Sequence, residues 1–479
     1  MNSASPAAAT VGSTSLLQPG VPAWVASTVA CVCAFMVVMD SSIVNVALSA
    51  MSADLGLSAT GQQWVVDAYL LMLGGFMLLA SRASDIYGRK VILQTALVLF
   101  TGASLVGGLA TNSVMLIAAR AVQGFGGSAL ATSTLAVIVA AYPKGPKQKR
   151  AISLWAASSS LASAFGVIIG GMLTSFVSWR WVMFVNVPIG VALIIIVALS
   201  LQRQPKNAKR EKLDIPGAAT ITLSVAAFIY GITQTVERGW DSPVVLWTLG
   251  LSLILLIVFV WVELRAAQPL IRLEIFRHRN VPVGMIMVLG LGATLTANMY
   301  FLSLVLQNIE GYSPFDTGLA LLPMAVTLAV TAIVSRRLED AGFHRLPFFG
   351  GLMAAAGFVW LNWLPFHPDY VTWLLLPSLL IGAGLGLMLM TAIHAVLAGI
   401  PSKDSGIAAG LQNTARQLGG ALGIAVLVTV AHAAAGGQTT ADGITGVSQL
   451  SGYHAAFLTS GAISGISALA SLLLRRHAN

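Results

Sequence analysis

Fourteen stretches of about 20 apolar residues, each long enough to cross roughly 30 Å of hydrocarbon, run through this 479-residue chain. In lipid no water is available to satisfy the backbone, so such runs are expected to be helices that close their own hydrogen bonds. They lie near residues 22–49, 62–81, 91–110, 112–141, 151–176, 181–201 and 216–235, then 244–264, 281–308, 316–335, 346–365, 371–398, 406–432 and 453–474. Charged residues make up 9% of the chain, against about 25% in soluble domains, which excludes a soluble fold. The expected class is an all-α polytopic membrane protein. Its 47 glycines are scattered through the apolar runs, as close helix packing in lipid requires. Cys31 and Cys33 point to different sides of the first run and are expected to be small core residues, with neither a disulfide nor a metal site.

The basic residues orient the chain. With fourteen spans, nearly every loop Lys and Arg falls on one side, leaving Arg180 and Arg238 on the other; by the positive-inside rule both termini are cytoplasmic. The segment before Pro22 has no basic leader, and the first span is expected to act as an uncleaved anchor. The basic stretch QRQPKNAKREK (202–212) is expected to lie on the membrane surface and not on nucleic acid.

Charge within the spans carries the functional information, because an ionised group at the bilayer centre costs about 3 kcal/mol by insertion scales. Asp40, in MDSSIVNVALSA, lies about 15 Å from the outer end of the first span at 1.5 Å per residue. Arg120 lies about 12 Å into the fourth. Their similar depth makes a pair possible. Such a pair is either a buried structural ion pair or one whose carboxylate also exchanges a proton or meets cationic cargo. Ser41, Ser42 and Asn45 widen the polar arc around Asp40. Asp67 lies nearer the outer end of the second span. Asp316, in GYSPFDTG, fits a helix start capped by Ser313, and His394 is expected to be a satisfied helix-end histidine. Asn413, Arg416, Gln417 and Gly420 share one face of the thirteenth span, which fits either a cavity or another helix. There is no G-x-x-x-x-G-K-[ST] motif for ATP and no H-E-x-x-H set, so a polytopic enzyme is disfavoured.

The segments SRASDIYGRKVIL, RAVQGFGG, FGVIIGGMLTSFVSWRWVMFVNVPIG, QNIEGYSPFDTGLALLP and GIAAGLQNTARQLGGALGIAV, with MDSSIVNVALS, appear in order over nearly the whole chain. Together they resemble the major facilitator superfamily, specifically its fourteen-span drug:proton antiporter branch. The resemblance implies two six-helix bundles, residues 22–201 and 281–474, with two additional helices at 216–264 between linkers 202–215 and 265–280. Short cytoplasmic tails, 1–21 (disordered) and 475–479, complete the chain. It implies proton coupling by Arg120 beside Asp40, with Gln123 matching the family's fourth-span Gln. From the residues themselves Asp67 is expected to join the coupling and, like Asp40, to suit lipophilic cations, and Asn45, Tyr69, Gln123, Tyr300, Phe301, Asn413, Arg416 and Gln417 are expected to touch a substrate cavity. A cytoplasmic latch would use Asp85, Gly88, Arg89 and Lys90, and close helix packing would use Ala162, Gly166, Gly170 and Gly171. Val167 stands where the family's fifth-span Pro is usual, so no Pro bend is expected there; Ser81 and Ile86 likewise replace a usual Gly and Arg.

The function so implied is proton-driven export of amphipathic organic compounds or drugs by alternating access, in a bacterial cytoplasmic membrane. The partners are a lipophilic small molecule, protons and the bilayer, with no cofactor beyond the proton gradient, no nucleic acid and a monomeric state. A dedicated exporter of one metabolite or antibiotic would work the same way; a membrane enzyme or sensor is the more distant alternative.

Overall fold

The computed structural model describes residues 16–143, 145–203, 213–266, 268–271, 273–278, 280–343, 345–397, 405–436 and 446–474. Among them the backbone is helical except for connections and one isolated bridge between Leu17 and Leu201.

The first group of helices begins with α1 (Ala23–Leu55), whose 33 residues reach about 50 Å. It ends at Gly56, whose positive φ of 62° carries its N–H to the Ser52 carbonyl, a closure that favours glycine. Ser58 then caps α2 (Ala59–Tyr87) by accepting a bond from the Gly61 N–H. At Gly88 (φ 92°) the chain turns directly into α3 (Arg89–Gly108), and Asn112 caps α4 (Ser113–Ala141). The long α5 (Pro146–Phe176) runs through Val167 as unbroken α-helix. The sixth expected span arrives as two pieces, α6 (Arg180–Phe184) and α7 (Asn186–Ser200).

Next comes a helical hairpin, α8 (Ile215–Arg238) and α9 (Pro243–Arg265), followed by a short 3₁₀ turn at Leu273–Arg277. The last group contains α10 (Asn280–Leu304), which widens into a π turn at Val305–Ile309, and α11 (Pro314–Asp340). It continues with α12 (Leu346–Leu361), α13 (Leu376–Leu397), α14 (Ser405–Ala434) and α15 (Gly446–Ser471). Asp316 sits in the first turn of α11, where its backbone N–H bonds to the Ser313 hydroxyl and that hydroxyl bonds its carboxylate at 2.6 Å. That is the capping arrangement expected from the sequence.

Packing follows these groups. In the first, α1 lies along α5, α2 along α4, and α3 against α4 and α7. In the last, α10 lies along α14, α13 against α11 and α12, and α12 against α15. The α8–α9 hairpin leans on both α2 and α14. The two groups meet where α2 lies on α14 and α5 on α11.

Twelve of the described helices are long and apolar enough to cross a membrane, in place of the fourteen expected. The difference has two physical sources. At 16 residues, α12 extends about 24 Å, short of the hydrocarbon thickness. In α15, repeated Ser, Gly and Thr residues dilute an otherwise apolar helix. The expected disordered tail is also revised near its end: residues 16–21 are held to the end of α7 by Gln18 N–H to Ser200 O (2.9 Å) and Gln202 N–H to Leu16 O (2.8 Å). Residues 1–15, most of the basic linker (204–212) and the 475–479 tail lie outside the described residues.

Candidate functional site

The two charges placed at similar depth by the sequence do meet. Asp40 and Arg120 form an ion pair at 2.5 Å, with 0% and 1% of their side-chain surfaces exposed. Polar groups of neighbouring helices converge on this pair. On the carboxylate, Oδ1 accepts from Gln123 Nε2 (2.7 Å) and from Asn186 Nδ2 (2.8 Å), while Oδ2 accepts from Arg120. On the guanidinium, Nε donates to the Val65 carbonyl (3.1 Å) and the nitrogen bound to Asp40 also donates to Gln123 Oε1 (2.7 Å). Gln123 further donates to Ser104 Oγ (2.8 Å). The guanidinium carbon lies 4.1 Å from the centroid of the Tyr69 ring, a cation–π contact worth about 0.5–2 kcal/mol. The Tyr69 hydroxyl in turn donates to the Val37 carbonyl at 3.0 Å.

Five helices contribute, and their close approach has a local cause. Gly124 of α4 rests against the backbone carbonyl of Tyr69 on α2 with no room for a side chain. That contact sets Arg120, one helical turn earlier on α4, over the Tyr69 ring. Tyr69 and Gln123, expected in the substrate cavity, therefore complete the shell of the ion pair instead, and both are fully buried. Asn186 was not singled out in the sequence, although a lone amide in the run VMFVNVPIG was the available signal.

Asp67 forms a second buried site. Its side chain is 0% exposed; Oδ2 accepts from Gln63 Nε2 at 2.8 Å and Oδ1 has no hydrogen-bond partner. The same Gln63 nitrogen donates to Thr233 Oγ1 of α8 at 3.1 Å, and the Thr233 hydroxyl donates to the Ile229 carbonyl at 2.7 Å. With its own proton committed, Thr233 can act toward the amide as an acceptor, which holds the NH₂ of Gln63 toward Asp67. Through Thr233 the α8–α9 hairpin thus helps position a carboxylate of α2. Neither Gln63 nor Thr233 was read from the sequence, though Gln63 precedes Asp67 by four residues, one helical turn. Thr233→Val leaves one Gln63 N–H buried without a partner, and the expected cost is about 1–3 kcal/mol. The check is thermal melting in detergent: a lowered Tm restored by Thr233→Ser is expected, and an unchanged Tm would show that Gln63 does not depend on α8.

The remaining residues spread over the molecule. Asn45 is buried and donates to the Ser41 carbonyl (3.0 Å), with its Oδ1 unpartnered. Tyr300 and Phe301 are each 2% exposed, and Phe301 packs edge-on against Tyr453 and Phe457; both belong to the apolar core. Asn413, Arg416 and Gln417 are partly exposed, and Gly420 is buried. Of the latch residues, Lys90 Nζ bonds the Ala198 and Leu201 carbonyls at 2.7 and 2.6 Å. It closes the end of α7 within its own helix group, a favourable place for a cation. Asp85 is exposed and Arg89 partly so, beside the turn made by Gly88. His394 Nδ1 lies 2.8 Å from Glu339 Oε2, and Thr391 bonds the other oxygen of that carboxylate.

The small residues of α5 pack as the spacing predicts. Ala162 is fully buried. A methyl group on Gly166 would lie 2.9 Å from the Met39 carbonyl oxygen, and one on Gly170 would lie 2.9 Å from that of Ile43, both on α1. Gly171 faces the other group: a methyl there would lie 2.5 Å from the Pro314 carbonyl oxygen and 2.8 Å from Phe315 Cα. Nearby, Phe315 N–H donates to Ser175 Oγ (3.0 Å), and the Phe176 and Phe315 ring centroids are 5.5 Å apart. At the same end Ser303 Oγ donates to the Asn45 carbonyl (3.0 Å) and Gln307 Nε2 to the Val46 carbonyl (3.0 Å). The end of the bundle that holds the α1–α2 connection is therefore closed.

Comparisons with known proteins agree with this architecture. The family model described as Major Facilitator Superfamily matches residues 30–424. The cephamycin export protein CmcT of Amycolatopsis lactamdurans is 37% identical over 86% of this chain and 86% of its own. The puromycin resistance protein pur8 of Streptomyces alboniger is 37% identical over 83% of this chain and 80% of its own. The multidrug resistance protein Stp of Mycobacterium tuberculosis is 31% identical, with coverage of 83% and 73%. Among solved structures, a peptide transporter POT superposes with a TM-score of 0.69 at 13% identity, covering 93% of each chain. A D-xylose–proton symporter does so with 0.66 at 14% identity, covering 93% of this chain and 96% of that one.

Proposed function

Because the chain belongs to the Major Facilitator Superfamily, whose members carry small molecules across membranes, we propose that it is a proton-coupled exporter of amphipathic organic compounds. The observation that carries this reading is the buried cluster of Asp40, Arg120 and Gln123. An intramembrane carboxylate with a single cationic partner suits a proton relay. The relatives' names, a cephamycin export protein and a multidrug resistance protein, support export as the direction. The first of them also supports the narrower reading, a dedicated exporter of one antibiotic by the same mechanism.

In the proposed cycle the closed end faces outward and both termini lie in the cytoplasm, as the basic loops favour. With that end closed, Asp40 is held as an acceptor by Arg120, Gln123 and Asn186. When the end opens, a proton from outside binds a carboxylate oxygen of Asp40. The neutral acid no longer balances Arg120, whose guanidinium keeps Gln123 Oε1 and the Val65 carbonyl. Repacking of these helices reopens the cavity toward the cytoplasm, where the proton leaves. Asp67, held by Gln63, serves as the second titrating group.

In this reading residues 22–201 and 281–474 are the two moving bundles, with 216–264 as inserted helices. Helices α12 and α15 also cross, giving the fourteen-span branch; their packing on one another and on the spanning α13 and α14 supports that. Asp85, Gly88, Arg89 and Lys90 form the cytoplasmic latch. The protein works as a monomer in a bacterial cytoplasmic membrane, with the proton gradient as its energy source and no bound cofactor.

The test is transport in inside-out vesicles with an acid lumen. The expected result is uptake of a lipophilic fluorescent cation such as ethidium, or of an acidic dye, that stops when nigericin collapses the pH gradient. Uptake of neither dye, or uptake unaffected by nigericin, would overturn the reading.

A further inference from the structure

An arginine without a counter-ion among the described residues lies inside the last helix group. Arg416 is six residues into the membrane-crossing stretch Gly410–Ala434 of α14, about 9 Å from its start. Among the described residues no hydrogen bond or ion pair reaches its guanidinium. Charge bookkeeping along the chain makes this more than a local accident. Helices α10, α13, α14 and α15 contain no Asp or Glu, and the one acid of α8, Glu237, belongs to its last turn. On α2, the first-group helix that lies against α14, Asp67 is sealed behind Gln63 and Asp85 sits at the far end. The other intramembrane cation, Arg120, already has Asp40.

The position faces the seam between the groups. Gly292 of α10 rests against the carbonyl of Arg416, and Gly74 of α2 rests against the side chain of Gln417. Protein encloses α14 through α2, α8, α10, α13 and α15, yet Asn413, Arg416 and Gln417 are partly exposed. A guanidinium that keeps some exposed surface can do without a protein partner. Alternating access, however, requires a state that closes around its cargo, and burying an unpaired charge costs several kcal/mol.

We propose that Arg416 is the counter-ion for an acidic group, a carboxylate or sulfonate, carried by the exported amphiphile. The proposal rests on the efflux reading above and narrows it. The guanidinium offers a planar pair of donors to such a group, and the Asn413 and Gln417 amides on the same helix face add neutral donors beside it. The proton enters the cycle at Asp40, in the other helix group, so cargo charge and proton charge are handled at separate sites.

A matched pair of dyes tests this: rhodamine 6G, an ethyl ester, and its free carboxylic acid, which share one ring system. Uptake is measured in inside-out vesicles with an acid lumen. The wild type is expected to carry the acid in preference to the ester. Arg416→Gln should lower uptake of the acid roughly tenfold or more, the loss of a charge-assisted bond, and lower uptake of the ester by a much smaller factor. Arg416→Lys, which keeps the charge but not the fork, should fall between. Equal loss of both dyes in Arg416→Gln, or an acid uptake that the substitution spares, would overturn the proposal. If the wild type carries the ester and not the acid, the anion site falls and the efflux reading stands. If it carries neither, both fall.

Discussion

Asp40→Asn is expected to abolish efflux driven by a pH gradient while leaving exchange of substrate across the membrane measurable. Three donors converge on the two oxygens of Asp40: Arg120, Gln123 Nε2 and Asn186 Nδ2. An amide offers one oxygen and turns an NH₂ toward groups that are themselves donors. Arg120 would then be buried without a charge partner, a loss of about 3–5 kcal/mol when one member of such a pair is removed. The Val65 carbonyl and Gln123 Oε1 remain to hold the guanidinium, which favours a folded but uncoupled protein. The measurement is dye uptake into vesicles with and without the gradient, beside counterflow of the same dye. Gradient-driven uptake at the wild-type rate and pH dependence would show that Asp40 does not carry the coupling proton. The charge-exchanged protein, Asp40→Arg with Arg120→Asp, separates the roles: it should restore thermal stability but not uphill transport.

Gly171→Leu is expected to act through the closed end of the bundle. The atoms that a side chain would meet there, the Pro314 carbonyl oxygen and Phe315 Cα, are backbone and cannot swing aside. Overpacking of this kind costs about 1–3 kcal/mol. Here the cost falls on the state in which α5 touches α11, and a penalty of that size on one state shifts the equilibrium roughly 5- to 150-fold. Efflux should fall by a similar factor. Ser303 is 1% exposed and crosses the same closure to α1. As Ser303→Cys in a background lacking Cys31 and Cys33, it should become reactive to an impermeant maleimide added from outside. Unchanged labelling with unchanged efflux would show that this contact does not gate the outer end.

What the sequence made legible was what depends on depth and period. Residues per ångström placed Asp40 and Arg120 at one level, and the structure joins them at 2.5 Å. Four-residue spacing put Ala162, Gly166 and Gly170 on one face, and that face lies on α1. The Ser313–Asp316 cap is local chemistry and could be read from four residues. Depth and period do not say which helices are neighbours. Tyr69 was expected on a cavity as aromatic surface and Gln123 through its match to the family's fourth span; their partners, Arg120 and Asp40, turn them into the walls of a sealed pair. Thr233 and Gln63 are 170 residues apart in the chain, and nothing local to either predicts the contact. At α12 the expected span and the described helix differ because a 20-residue apolar window ran past the turn at Asn362. For α15 the counted stretch was apolar in outline but heavy in Ser and Gly.

The wiring of Asp40 also bears on how the protein is made. Its partner Arg120 lies 80 residues downstream and Asn186 lies 146 residues downstream. At a synthesis rate of about 5–20 residues per second, α1 reaches the translocon roughly 4–16 seconds before its cation is synthesised and 7–29 seconds before its last donor. Through that interval the first helix carries a carboxylate that lipid penalises and that has neither its cation nor its last donor. The partners that bury this carboxylate are thus separated from it by synthesis time as well as by sequence.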